Sequence, residues 1–481
     1  MMAGVGITAY GAYVPITRLD RAAIAKANAW FGGPRGKGDK AVSGWDEDVC
    51  TMAVEAARDC LENFDRAQID AVWLASTTAP FADRQNAGIV KEALNLGDVT
   101  GALDAGGSQR VATSQLMAAF GMSKGTGQTI LQVTGERTQP KPASAREMSS
   151  GDAAAALLVG TKDVIAELIG THSVTADFVD HFREAGSQAD YDWEARWVRD
   201  EGYVKIMGDA IVDALAACRI EGGLVDHLIV PIAARGVPEM LARKAGISPN
   251  ALADQLDGSV GHAGAAHPLL MLAAVLEKAK PGETILLSAF GQGADVILLR
   301  VTDRIGTTRP RLGVSGWLAR KQASDNYLKY LFHRGHLALD RGMRAEHDEK
   351  TALPAMWRQR KGTMALVGGK CSKTGTVQFP KTEMSVNSND HAIRTQEDYP
   401  LAEIPARVMT YTADSLTYSP DPPTCYGNVE FEGGGRLMAE FTDVDPQAIE
   451  VGDEMRMMFR IKAIDEKRGF RRYFWKAAPA F

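Results

Sequence analysis

The sequence predicts a layered α/β domain followed by a small all-β barrel. Three observations predict it. Strand-like and helix-like patterns alternate from residue 1 to about 305, and the chain then turns polar and proline-bearing at "IGTTRPRLG". From about 364 onward, short alternating strands are separated by Gly, Pro and Asp turns. The expected organisation is therefore an α/β domain over 1–305, a linker with a helical segment over 306–363, and a barrel over 364–481.

The elements follow in order. "GVGITAYGAYVP" reads as a first strand, and "DEDVCTMAVEAARDCLENF" (46–64) as a helix, because Val49, Met52, Ala53, Ala56, Ala57 and Leu61 recur near a 3.6-residue period. "IDAVWLAST" (69–77), "QTILQVTGE" (128–136), "DAAAALLVG" (152–160) and "VDHLIVPIAA" are strand-like, while "QNAGIVKEALNL" and "VPEMLARKAGI" are helical. "LDAGGSQRVATSQLMAAFGM" (103–122) and "GSVGHAGAAHPLLMLAAVLEKAKPGE" (258–283) each pass through a small-residue turn into an apolar helix, which hints at an internal duplication. "ETILLSAF" and "ADVILLRV" form a hairpin through "GQG". Beyond 305, "SDNYLKYLFHRGHLALDRG" reads as a helix pair, and 341–363 as a charged, solvated face. "GTMALVGG", "GTVQFP", "ARVMTYTADSLTYS", "YGNVEFEGGGRLMAEFTDV", "DEMRMMFRIKAID" and "GFRRYFWKAAP" supply the barrel strands.

The 481 residues carry a formal net charge of -6, with a pI of about 5.9. That balance argues against a coat for nucleic acid or an anionic membrane. No apolar run approaches the roughly 18 residues of a membrane-spanning helix. The five cysteines, Cys50, Cys60, Cys218, Cys371 and Cys425, form no CxxC pair, which fits a cytoplasmic location without a disulfide framework. "GTGQT" and "GQGAD" match no phosphate-binding loop.

On the stretches "GITAYGAYVP", "DEDVCTMAVEAARDCL", "GSQRVATSQL", "SSGDAAAALLVG" and "GHAGAAHPLLMLAAVLEKAKPGETILLSAFGQGAD", residues 1–305 resemble the thiolase superfamily. The resemblance is to its 3-hydroxy-3-methylglutaryl-CoA synthase and ketoacyl synthase III branch, whose fold has duplicated α/β halves. On "GGKCSKTGTVQFP", "YTADSLTYSPDPP", "FEGGGRLMAEFTDVDP" and "RRYFWKAAP", residues 325–481 resemble the OB-fold, zinc-ribbon domain associated with acyl-CoA enzymes. The resemblance implies acyl-CoA chemistry and a homodimer built through the thiolase-like core. It also implies that the OB domain docks on that core and helps shape an acyl-CoA channel.

Three expected side chains are replaced. The superfamily's nucleophilic cysteine falls on Gln109, with Ser108 before it and Arg110 after. Thr77 stands where the synthase glutamate would be, and Val230 and Pro231 where a histidine would be. His262 occupies the ketosynthase asparagine position at the start of the last core helix. There the helix dipole favours a neutral imidazole, suited to donate a hydrogen bond to an oxyanion or enolate. The catalytic candidates are accordingly His262, Gln109 and Ser108. The substrate-binding candidates are Thr77, Arg110, His267 and Arg235, with Arg243 and Lys244 as further cations for the CoA phosphates. His172, His181, His227, His333, His336, His347 and His391 read as surface groups, with His333 and His336 one turn apart on a helix. The first zinc knuckle keeps Cys371 but has Thr374 at its second position. The second knuckle falls on Met384 and Asn387, so no zinc and no permanently bound cofactor are expected. "FRRYFWK" has the basic and aromatic interleaving of an OB-fold that binds nucleic acid, but it reads as the last barrel strand of an acidic chain.

The function expected is an acyl-CoA enzyme that makes or breaks a carbon–carbon bond without a cysteine nucleophile, using a coenzyme A thioester as substrate. The alternative is a non-catalytic partner subunit of a heteromeric thiolase or acyltransferase complex. Neither a nucleic-acid partner nor a membrane is expected.

Overall fold

The computed structural model describes residues 4–480. The chain divides into two compact units. Unit 1 takes residues up to 44, 48–88 and 97–337, and unit 2 takes 45–47, 89–96 and 338 onward.

Unit 1 is built on a nine-stranded mixed sheet. Its strands are β1 (Gly6–Tyr13), β2 (Ala71–Ala75), β3 (Gly101–Ala105), β4 (Ile130–Glu136), β5 (Ala153–Gly160), β6 (Ala166–Thr175), β7 (His227–Ile229), β8 (Thr284–Phe290) and β9 (Gly293–Val301). They lie in the order β7-β8-β9-β6-β1-β5-β4-β2-β3. The helices that position the site are α1 (Val49–Cys60), α2 (Val111–Thr126), α3 (Gly208–Cys218) and α4 (His267–Leu276).

The duplication expected from the two apolar helices is written in the topology. β3-β2-β4-β5-β1 forms one half-sheet and β7-β8-β9-β6 the other, and the two halves meet where β1 pairs antiparallel with β6. The pairing senses repeat. β2 and β4 are parallel, as are β7 and β8, while β4–β5 and β8–β9 are antiparallel pairs. The counterpart of β3 in the second half has shrunk to one parallel bridge, Leu228 to Leu252. In each half a helix enters the sheet's core before the fourth strand: α2 in the first, α4 in the second.

Why these segments fold so is local. All twelve residues of α1 are buried, and Asp48 begins the helix with a reciprocal capping box to Thr51. In α4 every residue but Ala274 is buried, as its apolar sequence requires. The helix starts at His267 rather than 262, because Gly264–Ala266 first make a 3-10 turn. α2 differs from the sequence expectation. It buries Val111, Ala112, Leu116, Ala119 and Phe120 on one face, while Met122 on the other is 41% exposed.

The segment after 305 folds against the core of unit 1. α5 (Gly313–Ala319) starts where Asp59 of α1 accepts the backbone N–H of Leu312 at 2.7 Å. α6 (Tyr327–His333) brings Tyr330 and Arg334 into a buried polar network. "SDNYLKYLFHRGHLALDRG" thus holds one helix and a loop rather than a helix pair, so His336 lies past the helix end. Arg334 pairs with Asp152, which also accepts from Ser43 N at 2.7 Å and Thr138 N at 3.0 Å. Lys40 donates to Ser150 Oγ at 3.2 Å and lies over the Tyr330 ring.

Unit 2 carries a six-stranded sheet in which Glu454–Asp465 and Phe470–Pro479 pair along their lengths. Thr442 N donates to Ala477 O at 2.9 Å, tying the strand Arg436–Glu440 to the last strand as a barrel requires. Tyr473, Trp475 and Ala477 of "FRRYFWK" and its continuation point inward. The Trp475 indole donates to Met364 O at 2.8 Å. One expectation is corrected here: "GTMA" is not strand, because Arg360–Ala365 is a short helix ended by Leu366 at φ 49°. The strand begins at Val367.

The degenerate knuckle is closed by side-chain hydrogen bonds. Cys371 Sγ lies 3.1 Å from Thr395 Oγ1, and Asn387 Nδ2 donates to Thr376 Oγ1 at 2.9 Å. Among the described residues no group of three or more His, Cys, Asp or Glu side chains is placed to hold a metal ion. Among the described residues no helix is long and apolar enough to cross a membrane.

Candidate active site

The half-sheets bring their equivalent loops together. In the first half, Thr77 follows β2, Gln109 precedes α2 and Glu136 ends β4. In the second, Pro231 follows β7, His262 precedes α4 and Gly291 follows β8. The hydrogen bonds obey the same repeat. Gln109 Nε2 donates to Thr77 Oγ1 at 3.3 Å, and His262 Nε2 donates to Pro231 O at 2.9 Å. In each half, the residue before the core helix reaches back to the end of the second strand.

Glu136 is the group at the centre, and no motif in the sequence reading pointed to it. It is 1% exposed. Ser76 Oγ donates to it at 3.2 Å, Thr77 Oγ1 at 3.1 Å and Thr78 Oγ1 at 2.8 Å, and the Thr77 N–H is a fourth donor. Burial raises its pKa above the usual carboxylate range, against the pull of these donors. The signal that could have found it is the acid closing the apolar run "ILQVTGE". What it lacked was the neighbour: β2 and β4 pair with Ala75 opposite Thr134, so Thr77 falls opposite Glu136.

Gln109 and Thr77 are therefore brought together around a carboxyl. The Gln109 Oε1 atom is buried with no protein partner. Gly264, at φ 50°, leaves the space beside it open: a Cβ there would lie 3.0 Å from Gln109 Oε1 and 3.1 Å from Glu136 Cγ. Arg183, from the excursion between β6 and α3, lays its guanidinium on the Thr77 carbonyl and pairs with Asp190 at 3.1 Å. It too was missed, since "HFREAG" resembles any solvated loop.

His262 is half-buried, and both ring nitrogens are engaged. Gly264 N–H donates to Nδ1 at 3.2 Å, so the proton sits on Nε2 and points to Pro231 O. Burial lowers its pKa to about 4, so the imidazole is neutral at physiological pH; the cause is burial rather than a helix dipole, since α4 begins only at His267. His267 lies 4.8 Å away, ring to ring, and is 1% exposed. It accepts from Ala263 N at 3.2 Å and donates to Gln255 O at 2.9 Å. It holds the turn from inside.

The other candidates are structural or peripheral in this arrangement. Ser108 Oγ donates to Gly291 O at 2.9 Å and accepts from Arg110 N at 3.3 Å. Arg110 spends its guanidinium on Asp295 at 2.5 Å, Ser173 at 3.0 Å, Thr175 at 2.8 Å and Gly291 O at 2.9 Å. It clamps the start of α2 to β9. Arg235 and Arg243 are exposed, and Lys244 pairs with Asp209 at 2.7 Å. His181, expected at the surface, is buried beside Asp180 at 2.7 Å.

Both parts of the chain have known relatives. Residues 215–299 match the family described as 3-oxoacyl-[acyl-carrier-protein] synthase III C terminal. Residues 400–460 match the ChsH2 C-terminal OB-fold domain. The chain is 30% identical over 344 residues to the hydroxymethylglutaryl-CoA synthase of Aeropyrum pernix, covering 69% of this chain and 95% of that protein. It is 30% identical over 347 residues to the enzyme of the same name from Methanocella arvoryzae, covering 70% and 99%. Among solved structures, MvaS in complex with 3-hydroxy-3-methylglutaryl coenzyme A superposes with a TM-score of 0.58 at 19% identity, over 70% of this chain and 93% of that one. The 3-oxoacyl-[acyl-carrier-protein] synthase III of Aquifex aeolicus gives 0.56 at 20% identity, over 62% and 100%.

Proposed function

The chain belongs to the hydroxymethylglutaryl-CoA synthase branch of the thiolase superfamily, with an OB-fold domain following in sequence, and from that premise we propose that it makes or breaks a carbon–carbon bond beside a coenzyme A thioester without forming an acyl-enzyme. The observation that carries this reading is Gln109. It stands where the superfamily's cysteine would be, and an amide cannot be acylated there. Yet the position has not been filled by packing: it is bonded to Thr77 and, through the Thr77 hydroxyl, linked to Glu136. Non-covalent aldol or Claisen-type chemistry needs an oxyanion or enolate stabiliser and an acid/base group, and both kinds of group surround Gln109.

In this reading the first turn of α2 offers backbone N–H groups to the thioester oxygen. His262 supports that oxygen when its Nε2–H exchanges the Pro231 carbonyl for the substrate. Arg235 and Arg243, both exposed, are free to meet the phosphates of coenzyme A.

The test is the purified full chain incubated with acetyl-CoA, acetoacetyl-CoA and 3-hydroxyacyl-CoA thioesters, following free CoA and carbonyl products. Turnover with no acyl mass added to the protein supports the proposal, and His262→Ala should lower it. A stable acyl adduct overturns the non-covalent route. Inactivity alone, with turnover only beside a cysteine-bearing thiolase subunit, returns the partner-subunit reading.

The homodimer belongs to the same proposal. β3 lies at the open edge of the sheet, with Leu103 45% exposed, and the uncovered face of α2 carries Met122. An edge strand with an apolar residue invites pairing with a second copy across a two-fold axis.

A further inference from the structure

Cleaving or forming a carbon–carbon bond next to a thioester requires a group that takes up a proton and returns it. The usual synthase glutamate is absent at Thr77. Glu136 is well placed to replace it. Its hydrogen-bond partners, Ser76, Thr77 and Thr78, are all neutral, so among the described residues no cation fixes it as a permanent anion. It is itself shielded, but Thr77 and Thr78 are partly exposed, so the carboxyl communicates with the site through hydroxyls. Thr77 Oγ1 has Glu136 Oε2 at 3.1 Å on one side and Gln109 Nε2 at 3.3 Å on the other. The charged groups bordering the cluster are Arg183, on the Thr77 carbonyl, and Arg137, whose side chain turns away to Ser43 Oγ at 3.1 Å and to His333 O.

Resting on the acyl-CoA reading above, we propose that Glu136 is the proton store of this site and that the Thr77 hydroxyl is the group that touches substrate, a 3-hydroxyacyl thioester. In the cleavage direction the substrate's 3-hydroxyl gives its proton to Thr77 Oγ1 while Thr77 gives its own to Glu136 Oε2. The electron pair left on the substrate oxygen forms a carbonyl. The bond between the carbinol carbon and the α-carbon breaks, and its electrons pass into the thioester enolate. The stored proton then returns through Thr77 to that α-carbon. Synthesis is the same sequence reversed. Nothing is oxidised or reduced, and no acyl-enzyme is formed. Glu136 acts through Thr77 and so is a positioning and relay residue rather than a contact residue.

The experiment uses the full chain with 3-hydroxybutyryl-CoA and 3-hydroxy-3-methylglutaryl-CoA as cleavage probes. It adds deuterium exchange into the α-carbon of acetyl-CoA, with calorimetric binding of the same thioesters and melting temperatures as controls. Glu136→Gln and Thr77→Val should each lower kcat and the exchange rate by ~10²–10⁴-fold, the usual worth of a general acid/base, with binding nearly unchanged. Thr77→Ser, which keeps the hydroxyl, should stay within about tenfold of the parent, and Glu136→Asp should move the pH profile of exchange. The relay is overturned if Thr77→Val keeps parental rates, if Thr77→Ser is as impaired as Thr77→Val, or if the parent binds thioesters but exchanges no α-proton. Should Glu136→Gln fail to fold, the Thr77 pair decides. A parent that binds no CoA thioester removes both this inference and the function it rests on.

Discussion

The Thr77 hydroxyl donates to the Glu136 carboxyl across 3.1 Å, from the end of one strand to the end of its neighbour. Through that bond an acid ending the fourth strand is joined to the loop that follows the second. The same hydroxyl accepts from Gln109, so three loops that are far apart in sequence behave as one polar unit.

If Gln109 faces the substrate, a thiol placed there must be reachable. Gln109→Cys should react with iodoacetamide faster than native Cys50, Cys60, Cys371 and Cys425, which are all buried. Its place just before the 16-residue helix α2 favours the thiolate. Peptide mass spectrometry of a short labelling pulse checks this, and slower labelling at 109 than at the buried native cysteines would place the residue outside an accessible site.

The Arg334–Asp152 pair anchors the segment after 305 in unit 1, with side-chain exposures of 1% and 0%. Arg334→Met leaves a buried carboxylate without its cation and should cost about 3–5 kcal/mol. The Arg334→Met, Asp152→Asn double variant should lose less than the sum of the singles, because they share one interaction. Urea denaturation followed by circular dichroism measures both.

The two adjacent imidazoles, His262 and His267, make the core acid-sensitive. Burial lowers His262 to about 4 and His267 to about 3, from 6.5 when exposed. Between about pH 6.5 and these folded-state values the unfolded chain binds protons that the native chain refuses, so stability falls as pH falls through that window. A melting temperature that declines steadily below pH 6.5, and less so in His267→Asn, is the expected outcome. A profile flat from pH 7 to 4 would contradict it.

The open edge at β3 predicts that Leu103→Lys, which adds charge to an exposed strand residue, shifts the chain from dimer to monomer in sedimentation velocity. A parent that sediments as a monomer at micromolar concentration removes the dimer from the proposal.

The alternation of buried strands and helices, the paired glycine turns before two apolar helices, and the final run of short strands were enough to read the layered core and the barrel. The misreadings cluster where packing overrides pattern. "GTMA" is β-like in composition but is helical, and the Met364 carbonyl there accepts from the buried Trp475 indole. "FHRGH" looks like helix, but the last turn ends at His333 and Arg334 folds inward to Asp152.

The site divides in the same way. Residue identity alone determined that position 109 holds no nucleophile, that Thr77, Val230 and Pro231 carry no acid or imidazole, and that His262 lies in a glycine turn ahead of an apolar helix. Only the tertiary structure decided that His262 spends its N–H on Pro231, that Arg110 is consumed by Asp295, and that Glu136 stands against Thr77. The reason is physical. A strand's period fixes which residues are buried, but the partner of a buried polar group is set by which strand lies beside it, and here that neighbour comes from about 60 residues away in the chain, at the separation that parallel pairing through a crossover demands.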